Sequence, residues 1–344
     1  MWKKGIEMNL ERYSRQILFP EIQEKGQHEL LNSTVLVVGA GALGTVICNH
    51  LVRSGIGKIR IIDRDYVEMT NLQRQILFDE QDVYDALPKA IAIKQKLKSI
   101  NSSIEIDAII GNATNKNIDS LVDGVDIVMD GTDNMATRLL LNDICYKKGI
   151  PYSYGGVVSS RGMAAFFIPG ETPCLRCMTK GIIDGGETCD TVGVLSPVVD
   201  MVSSLEVIET LKYLTQNHSR LRNTLYTVDM WLNKHYDIKL SKPDPNCLTC
   251  QKKIYPALKL RTSDLETVLC GRNTVQIHQK TNIDLKEWSQ KLKKVATIKQ
   301  TPFLIKALLS EDIQFVLFPD GRVLVQGTED IVKARTWYDQ YIGS

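Results

Sequence analysis

A glycine-rich turn is the first feature of the sequence that could bind a ligand. Gly39, Gly41 and Gly44 belong to the run Gly-Ala-Gly-Ala-Leu-Gly, which follows a β-branched run and opens a helical pattern. Glycines so placed permit a tight turn and let backbone N–H groups approach a phosphate at a helix N-terminus. Asp63 ends the next predicted strand, about 20 residues further on, where a carboxylate can accept hydrogen bonds from ribose hydroxyls. The pattern predicts a nucleotide site without separating NAD from ATP, and a turn required only for packing is the alternative.

Amide and cationic side chains are concentrated in the stretch that begins at Asp65. They are Asn71, Gln73, Arg74, Gln75 and Lys89. Hydride transfer does not require such groups, whereas triphosphate chemistry does. Arginine presents a planar fork to phosphate oxygens and lysine a point charge, so Arg74 and Lys89 could neutralise a leaving pyrophosphate. The stretch favours ATP, although either cation taken alone could be an ordinary solvated surface residue.

A second polar loop, Gly131-Thr132-Asp133-Asn134, follows a predicted strand that ends at Asp130. In open α/β sheets ligands bind outside the carboxyl ends of strands, and a carboxylate there can hold Mg²⁺ against phosphates. Asp133 is therefore a candidate metal-holding residue. The alternative is that Asp133 caps the following helix, and the two roles are compatible.

Four of the eight cysteines form two CxxC pairs. The pairs are Cys174 with Cys177 and Cys247 with Cys250. Four thiolates around a tetrahedral ion are the usual arrangement of a structural Zn²⁺ site, and they leave no position for a catalytic water. The pairs therefore predict a zinc that stabilises the fold, with a redox dithiol at one pair as the alternative.

Cys189 is the one cysteine in a polar, glycine-containing loop, Gly185-Gly186-Glu187-Thr188-Cys189-Asp190. A thiol there would be exposed and could act as a nucleophile, or it could be an unreactive loop cysteine. Cys48, Cys145 and Cys270 lie in apolar or helical contexts and are interpreted as inert core residues.

The first half of the chain alternates β-branched runs with helical patterns, which predicts βαβ units and a mostly parallel sheet. Strands are predicted at 34–38, 58–63, 104–110, 125–130 and 150–154. An amphipathic helix opened by Pro88 and another following Asp133 are expected on the basis of three- and four-residue apolar spacing. From Val157 to about Cys250 the pattern is irregular, with loops around one apolar helical run at 198–214. The expected fold is a Rossmann-type, doubly wound α/β domain.

After Cys250 the composition changes, and residues 255–344 are predicted to form a small α+β domain apart from the main domain of residues 1–254. Its expected elements are a strand at 273–278, a helix at 285–294, a hairpin at 314–326 that turns at Asp320-Gly321, and a helix at 329–341. None of these elements carries a recognisable chemistry.

The overall charge and hydrophobicity indicate which classes of binding partner are not expected. A formal net charge of +2 gives no strong field, so nucleic-acid and membrane binding are not expected. The first residues contain no apolar signal region, and no stretch reaches the length of a membrane span. The expected location is the cytoplasm, where a reducing environment suits paired metal-binding cysteines.

The chain resembles the ThiF/MoeB adenylyltransferases, relatives of ubiquitin-activating enzymes, in an ordered set of motifs. They are GAGALG, Asp63-Arg64-Asp65, Asn71-Leu72-Gln73-Arg74-Gln75, Leu87-Pro88-Lys89, GTDN and the paired CxxC. The segment from Glu11 to Gln16 resembles the family's opening segment. The order and spacing agree from about Glu11 to Cys250, and residues 255–344 are not clearly covered.

The resemblance implies a role for each matched residue. It assigns Asp63 to the ATP ribose and Asp133 to Mg²⁺ and the reacting phosphate. The phosphate chain would contact Asn71, Arg74, Lys89 and Arg15, with Arg15 supplied by the neighbouring subunit of a homodimer. The motifs also include Asp65, Gln75 and Asn134 among the nucleotide-binding residues.

The implied reaction is attack by the C-terminal Gly-Gly carboxylate of a small ubiquitin-like sulfur-carrier protein on the α-phosphate of ATP. It would give an acyl-adenylate and pyrophosphate, in the synthesis of thiamine or of molybdopterin. Cys189 falls on a loop cysteine that some members of the family use in sulfur transfer. No rhodanese-like cysteine loop is evident after residue 255, so a separate protein would donate the sulfur.

Two other functions compete with this one. A nicotinamide-dependent oxidoreductase would account for the glycine motif, but not for the phosphate-binding cations or for GTDN. A zinc-containing module that binds a ubiquitin-like partner without activating it would account for the cysteines.

Overall fold

The computed structural model describes residues 10–179, 192–240, 242–260, 266–269, 273–279 and 281–343. These residues fall into two compact units. Those of the larger unit lie within Met1–Glu80, Pro88–Gly186 and Val194–Leu260, and those of the smaller unit within Gln81–Leu87, Glu187–Gly193 and Arg261–Ser344. Within the described ranges, no helix is both long and apolar enough to cross a bilayer.

The larger unit is built on an eight-stranded sheet. Its strands are β1 (Thr34–Val38), β2 (Lys58–Asp63), β3 (Glu105–Ile110), β4 (Ile127–Asp130), β5 (Tyr152–Val158), β6 (Arg161–Phe167), β7 (Thr224–Asp229) and β8 (Lys234–Lys239). They lie in the order β3-β2-β1-β4-β5-β6-β7-β8. Strands β1 to β5 are parallel, and β6, β7 and β8 continue the sheet by antiparallel pairing. The order reverses between β1 and β4, and ligands bind at such a switch point in doubly wound folds.

Helices connect the strands of both units in the described residues. The α-helices are α1 (Ser14–Ile17), α2 (Gln23–Asn32), α3 (Ala42–Ser54), α4 (Glu80–Tyr84), α5 (Lys89–Ile100), α6 (Ile118–Leu121), α7 (Met135–Lys148), α8 (Leu175–Met178), α9 (Ser196–Leu214), α10 (Leu285–Leu292) and α11 (Ile331–Tyr341). Both α3 and α7 end at a glycine in the left-handed conformation, Gly55 and Gly149, the usual way to stop a helix before a following strand.

The central strands are buried on both faces, as expected of a parallel sheet between helices. Leu36 and Val38 of β1 share one apolar cluster with Leu141 and Ile144 of α7. The alternate residues of β1 are also fully buried, and α3 packs against α9. The prediction of a mixed α/β fold with a large, mostly parallel sheet is confirmed.

The predicted helical run at 198–214 is confirmed by α9, but the interpretation of the rest of Val157 to Cys250 as irregular loops is wrong, because it contains β6, β7 and β8. Strand β8 is the edge of the sheet, and all of its residues are exposed. It has only two apolar residues, Tyr236 and Ile238, which are both exposed, so its alternation of apolar and polar residues is too short to be distinctive.

The smaller unit contains a six-stranded antiparallel sheet. Its strands are β9 (Glu266–Leu269), β10 (Thr274–His278), β11 (Thr297–Gln300), β12 (Ile305–Ser310), β13 (Ile313–Leu317) and β14 (Arg322–Gln326), in the order β11-β12-β13-β14-β10-β9. The predicted hairpin is found between β13 and β14, where Gly321 turns at φ +90°. Helices α10 and α11 share an apolar cluster with this sheet.

Candidate active site and cysteine cluster

Two loops meet at the switch point, residues 39–44 after β1 and residues 131–134 after β4, and we call the space beside them the switch-point crevice. Gly39 has φ +93°, and a Cβ atom there would lie 2.5 Å from the carbonyl oxygen of Gly131. A Cβ at Gly44 would collide with the carbonyl of Gly39. At Gly41, by contrast, the nearest atom would be 4.0 Å away. Gly39 and Gly44 are thus required for packing, whereas Gly41 leaves open space at the N-terminus of α3.

Asp63 links the end of β2 to the glycine loop. Its carboxylate accepts the N–H of Ala40 at 2.6 Å and the N–H of Asp65 at 2.7 Å. Burial raises the pKa of Asp63 above its usual value, and the nearby Lys89 opposes that shift. A buried carboxylate is stabilised in its charged form by further hydrogen-bond donors, which the hydroxyl groups of a ribose would supply.

Lys89 begins α5 and is almost fully buried, with 3% of its surface exposed. Its Nζ lies 3.4 Å from Oδ2 of Asp65, and its backbone N–H donates to the carbonyl of Asp65 at 2.9 Å. The alternative of a solvated surface lysine is therefore wrong. Arg74 is half-buried, and its guanidinium donates to the carbonyl of Thr70 at 3.0 Å.

Two buried amides lie on the chain between β2 and α5. Asn71 accepts the N–H of Glu68 at 3.1 Å and so caps the short 3-10 helix Met69–Asn71. Gln75 is 4% exposed, and its Oε1 has no hydrogen-bonding partner among the described residues. Because buried polar atoms are seldom left unpaired, this oxygen is a candidate ligand contact.

Asp133 does not cap α7, so that alternative is wrong. The cap is Asn134, whose Oδ1 accepts the N–H of Thr137 at 2.9 Å. The side chain of Asp133 is exposed at the carboxyl end of β4. This is the edge of the sheet at which ligands bind in open α/β folds, while the local role of Asn134 is structural.

Arg138 of α7 is a site residue that the sequence analysis missed. Its Nη2 donates to the carbonyl oxygens of Thr132 at 2.9 Å and Gly155 at 3.0 Å, and its Nε lies 3.3 Å from Oδ2 of the buried Asp130. The guanidinium also lies over the ring of Tyr154, 5.3 Å from its centre. The available signal was a charged residue on the stripe of α7 that buries Leu141 and Cys145.

Glu206 of α9 is a second missed residue. The side chain is buried, and neither carboxyl oxygen has a partner in hydrogen-bonding geometry among the described residues. Burial raises the pKa of Glu206 well above its usual value, and Asp130 raises it further. Burial therefore disfavours the charged form of this side chain. The signal in the sequence was a glutamate inside the apolar run of α9.

One predicted site residue lies apart from these contacts, and another cannot be compared with them. Arg15 is exposed on α1, and within the described part of the chain its side chain has no hydrogen-bonding or ionic partner. Cys189 lies outside the described residues.

The four paired cysteines come together, and we call their sulfur atoms the cysteine cluster. All four Sγ atoms lie within 4.8 Å of one another, with Cys174 and Cys247 3.5 Å apart and Cys177 and Cys250 3.4 Å apart. A tetrahedral zinc with bonds of about 2.3 Å would hold its sulfurs roughly 3.8 Å apart. The cluster therefore fits a structural Zn²⁺ ion.

Asp143 of α7 holds the two CxxC loops together. Its carboxylate is fully buried, accepts the hydroxyl of Thr249 at 2.6 Å, and pairs with Arg176 at 3.0 Å. Arg176 in turn donates from Nε to the hydroxyl of Thr249 at 2.9 Å. The N–H of Ala257 completes the set at 2.9 Å. Arg176 and Thr249 lie inside the two CxxC loops, so one carboxylate fixes both.

Comparison with known proteins gives one family. The model of the ThiF family matches residues 13–249. The sulfur carrier protein ThiS adenylyltransferase of Bacillus subtilis (strain 168) is 40% identical over 336 residues, which cover 96% of this chain and 99% of the relative. The adenylyltransferase and sulfurtransferase MOCS3 of Anopheles gambiae is 36% identical over 243 residues, 70% of this chain and 55% of the relative.

A solved structure is also similar to this chain. The crystal structure of E. coli MccB with ATP has a TM-score of 0.57 to this chain at 26% identity, over 66% of this chain and 69% of MccB.

Proposed function

The chain belongs to the ThiF family, and on this premise we propose that it adenylylates the C-terminal carboxylate of a small ubiquitin-like sulfur-carrier protein. The observation that carries the proposal is the similarity to a ThiS adenylyltransferase along nearly the whole length of both chains. The similarity to MOCS3 covers a smaller share. A ThiS-like carrier, and so thiamine rather than molybdopterin synthesis, is the more specific proposal.

The reaction requires no proton transfer. An oxygen of the ionised carrier carboxylate attacks the α-phosphorus of ATP and forms the new P–O bond. The bond from that phosphorus to the bridging oxygen breaks, and pyrophosphate leaves with the electron pair. Catalysis then consists of positioning the reactants and neutralising phosphate charge.

The nucleotide would lie in the switch-point crevice. The space beside Gly41 would admit phosphates at the N-terminus of α3, and Asp63 would bind the ribose. The unpaired Oε1 of Gln75 supports a nearby donor on the ligand. Lys89, held in place by Asp65, would contact the phosphate chain.

Asn71, Arg74 and Asp133 complete the proposed site in one subunit. The exposed carboxylate of Asp133 would hold Mg²⁺, which when bound offsets negative charge on the phosphates. Arg74 would move from the carbonyl of Thr70 to the phosphates, since arginine pairs more strongly with an anion than with a carbonyl.

A second copy of the chain is part of the proposal. The exposed Arg15 has no partner in its own described chain, which is consistent with a role at the neighbouring site of a homodimer. The cysteine cluster would hold Zn²⁺, whose contribution is to the fold because four sulfurs leave no coordination position open. Cys189 as a sulfur-transfer nucleophile and a separate sulfur-donor protein stay predictions.

Carrier-dependent exchange of pyrophosphate into ATP tests the function. We expect exchange with a ThiS-type carrier ending in Gly-Gly, and weaker exchange with a MoaD-type carrier. The matched control is the same ThiS-type carrier with an amidated C-terminus, which cannot attack and should support none. Equal exchange with both carriers would contradict the thiamine assignment, and no exchange with either would contradict adenylylation.

A further inference from the structure

We propose that Arg138 is a positioning residue for adenylylation, one that fixes the loop carrying Asp133 against strand β5. The inference rests on the proposed function, because it concerns the same crevice. It adds a residue that makes no contact with the phosphate chain in that proposal and acts through the backbone of two neighbouring elements.

The guanidinium bridges two neighbouring parallel strands just beyond the point where their pairing ends. One nitrogen, Nη2, donates both to Thr132, which follows β4, and to Gly155 within β5. These strands are neighbours, with Met129 opposite Ser153, so the two carbonyls lie just beyond the last paired residues. Arg138 therefore sets the separation of the loop after β4 from β5, beside the carboxyl end of β4 where ligands bind in such sheets.

The loop before Asp133 is held from two sides. Oδ1 of Asp130 accepts the N–H of Thr132 at 2.9 Å and its hydroxyl at 2.7 Å, while Arg138 holds the carbonyl of the same residue. With its N–H, hydroxyl and carbonyl all engaged, Thr132 is fixed in orientation. Asp133 is the next residue, so the direction of its carboxylate depends on this arrangement.

Only an arginine can make this set of contacts. Its planar group offers donors in several fixed directions, and here it contacts two carbonyls and the carboxylate of Asp130 while lying over Tyr154. A lysine could neutralise Asp130 but could not hold both carbonyls at the same separation.

The groups facing Arg138 make Asp130 its counter-ion. Oδ2 of Asp130 also accepts the hydroxyl of Tyr152 at 2.6 Å. Glu206 approaches the other side of β5, where a Cβ on Gly155 would collide with its carboxyl group. Burial raises the pKa of Glu206 and so disfavours a second carboxylate charge beside Arg138, whereas Asp130 lies 3.3 Å from Nε of the guanidinium.

Arg138→Lys tests the proposal in the full-length enzyme with its carrier. We expect kcat for carrier-dependent adenylylation to fall by about 10²-fold, the effect of misplacing a reacting group by roughly 1 Å. KM for ATP should change little, because the phosphate contacts are left intact. Hydrogen exchange of the backbone amides at 131–134 should accelerate.

The matched control is Arg222→Lys. Arg222 also lies over a tyrosine ring, that of Tyr226 at 5.0 Å, and pairs with Asp237 at 2.5 Å. It belongs to no part of the proposed site. Its lysine variant should keep the parental kcat and leave amide exchange at 131–134 unchanged.

A double variant keeps the test valid if Arg138→Lys fails to fold. Arg138→Gln with Asp130→Asn removes both buried charges, so no unpaired charge stays in the core. It should fold, bind ATP and still have low kcat. Parental kcat in either folded variant, or unchanged exchange at 131–134, would overturn the inference while the parent enzyme stays active. A parent that shows no carrier-dependent reaction would instead overturn the proposed function and this inference with it.

Discussion

Helix α7 takes part in two buried pairs of an arginine and an aspartate, one toward each end. In its first half the helix supplies the arginine, Arg138, to Asp130 at the switch-point crevice. In its second half it supplies the carboxylate, Asp143, to Arg176 beside the cysteine cluster. Both carboxylates are fully buried and both accept a hydroxyl as well.

The two ends differ in what surrounds the pair. Around Asp143 both carboxylate oxygens are used by donors from the chain itself, and both CxxC loops are tied to it. Around Asp130 the neighbourhood contains the carboxyl of Glu206, neither oxygen of which has a hydrogen-bonding partner among the described residues. The pair at Asp143 thus has its hydrogen bonds completed within the chain, whereas the surroundings of Asp130 include a buried carboxyl group without such a partner among the described residues.

Asp133→Ala should give the largest effect, a loss of activity at the switch-point crevice without a loss of stability. Removing an exposed metal-holding carboxylate withdraws charge stabilisation without disturbing packing, so pyrophosphate exchange should fall by at least about 10²–10³-fold. The melting temperature should stay at the parental value. ATP-pyrophosphate exchange and thermal unfolding measure the two quantities, and activity within a few-fold of the parent would show that Asp133 does not hold the metal.

Cys177→Ser at the cysteine cluster should instead lower the stability of the protein. One tightly bound zinc per chain is expected in the parent, and its loss removes the stability that metal binding contributes, about 4 kcal/mol at a thousandfold excess of zinc over Kd. Metal analysis and thermal unfolding with and without a chelator test this. A zinc-free parent that is folded and active, or a variant as stable as the parent, would contradict it.

The sequence predicts those features that depend on residues close together in the chain. The predicted ends of β1 and β2 agree with the structure: β1 is the continuous apolar run typical of a buried parallel strand, and β2 places three isoleucines between Gly57 and Asp63. Gly39, Gly44 and the four cysteines were recognisable because their spacing is itself the pattern. Edge strand β8 carries no such pattern.

Two polar residues that the sequence does not single out, Asp143 and Arg138, make contacts that are distant in the chain. Asp143 contacts Thr249, 106 positions away, and Arg138 contacts Gly155, 17 positions away. Neither contact follows from local spacing, since each depends on how α7 packs in the finished fold. The family resemblance supplied roles for the residues that match its motifs, and these two residues stand outside them.

Asp143→Asn sharpens the comparison at the cysteine-cluster end. An asparagine keeps one acceptor for Thr249, but it cannot accept the N–H of Ala257 with its amide nitrogen and loses the charge that pairs with Arg176. Zinc affinity should fall about 10–100-fold, the usual effect of losing a group that orients metal ligands. Competition with a chromophoric chelator measures it.

A merely structural role for Asp143 would lower the melting temperatures of the zinc-loaded and zinc-free proteins equally. An orienting role narrows the gap between them, and unchanged zinc affinity would contradict it. Asp119→Asn is the control, because Asp119 also pairs with α7, through Lys147 and Lys148, but is exposed at the surface.

The smallest expected effect is recovery of activity in a mixture of two inactive variants. It shows whether a second chain completes the switch-point crevice. Arg15→Ala and Asp133→Ala should each be inactive alone, because every site then lacks one group. In a homodimer with Arg15 supplied across the interface, random exchange makes about half of the dimers mixed, and each mixed dimer has one complete site. Activity should therefore return to about a quarter of the parental value. Subunit exchange is followed by differently tagged chains. A mixture that exchanges yet stays inactive, or a fully active monomer in sedimentation, would place Arg15 in its own chain or outside the site.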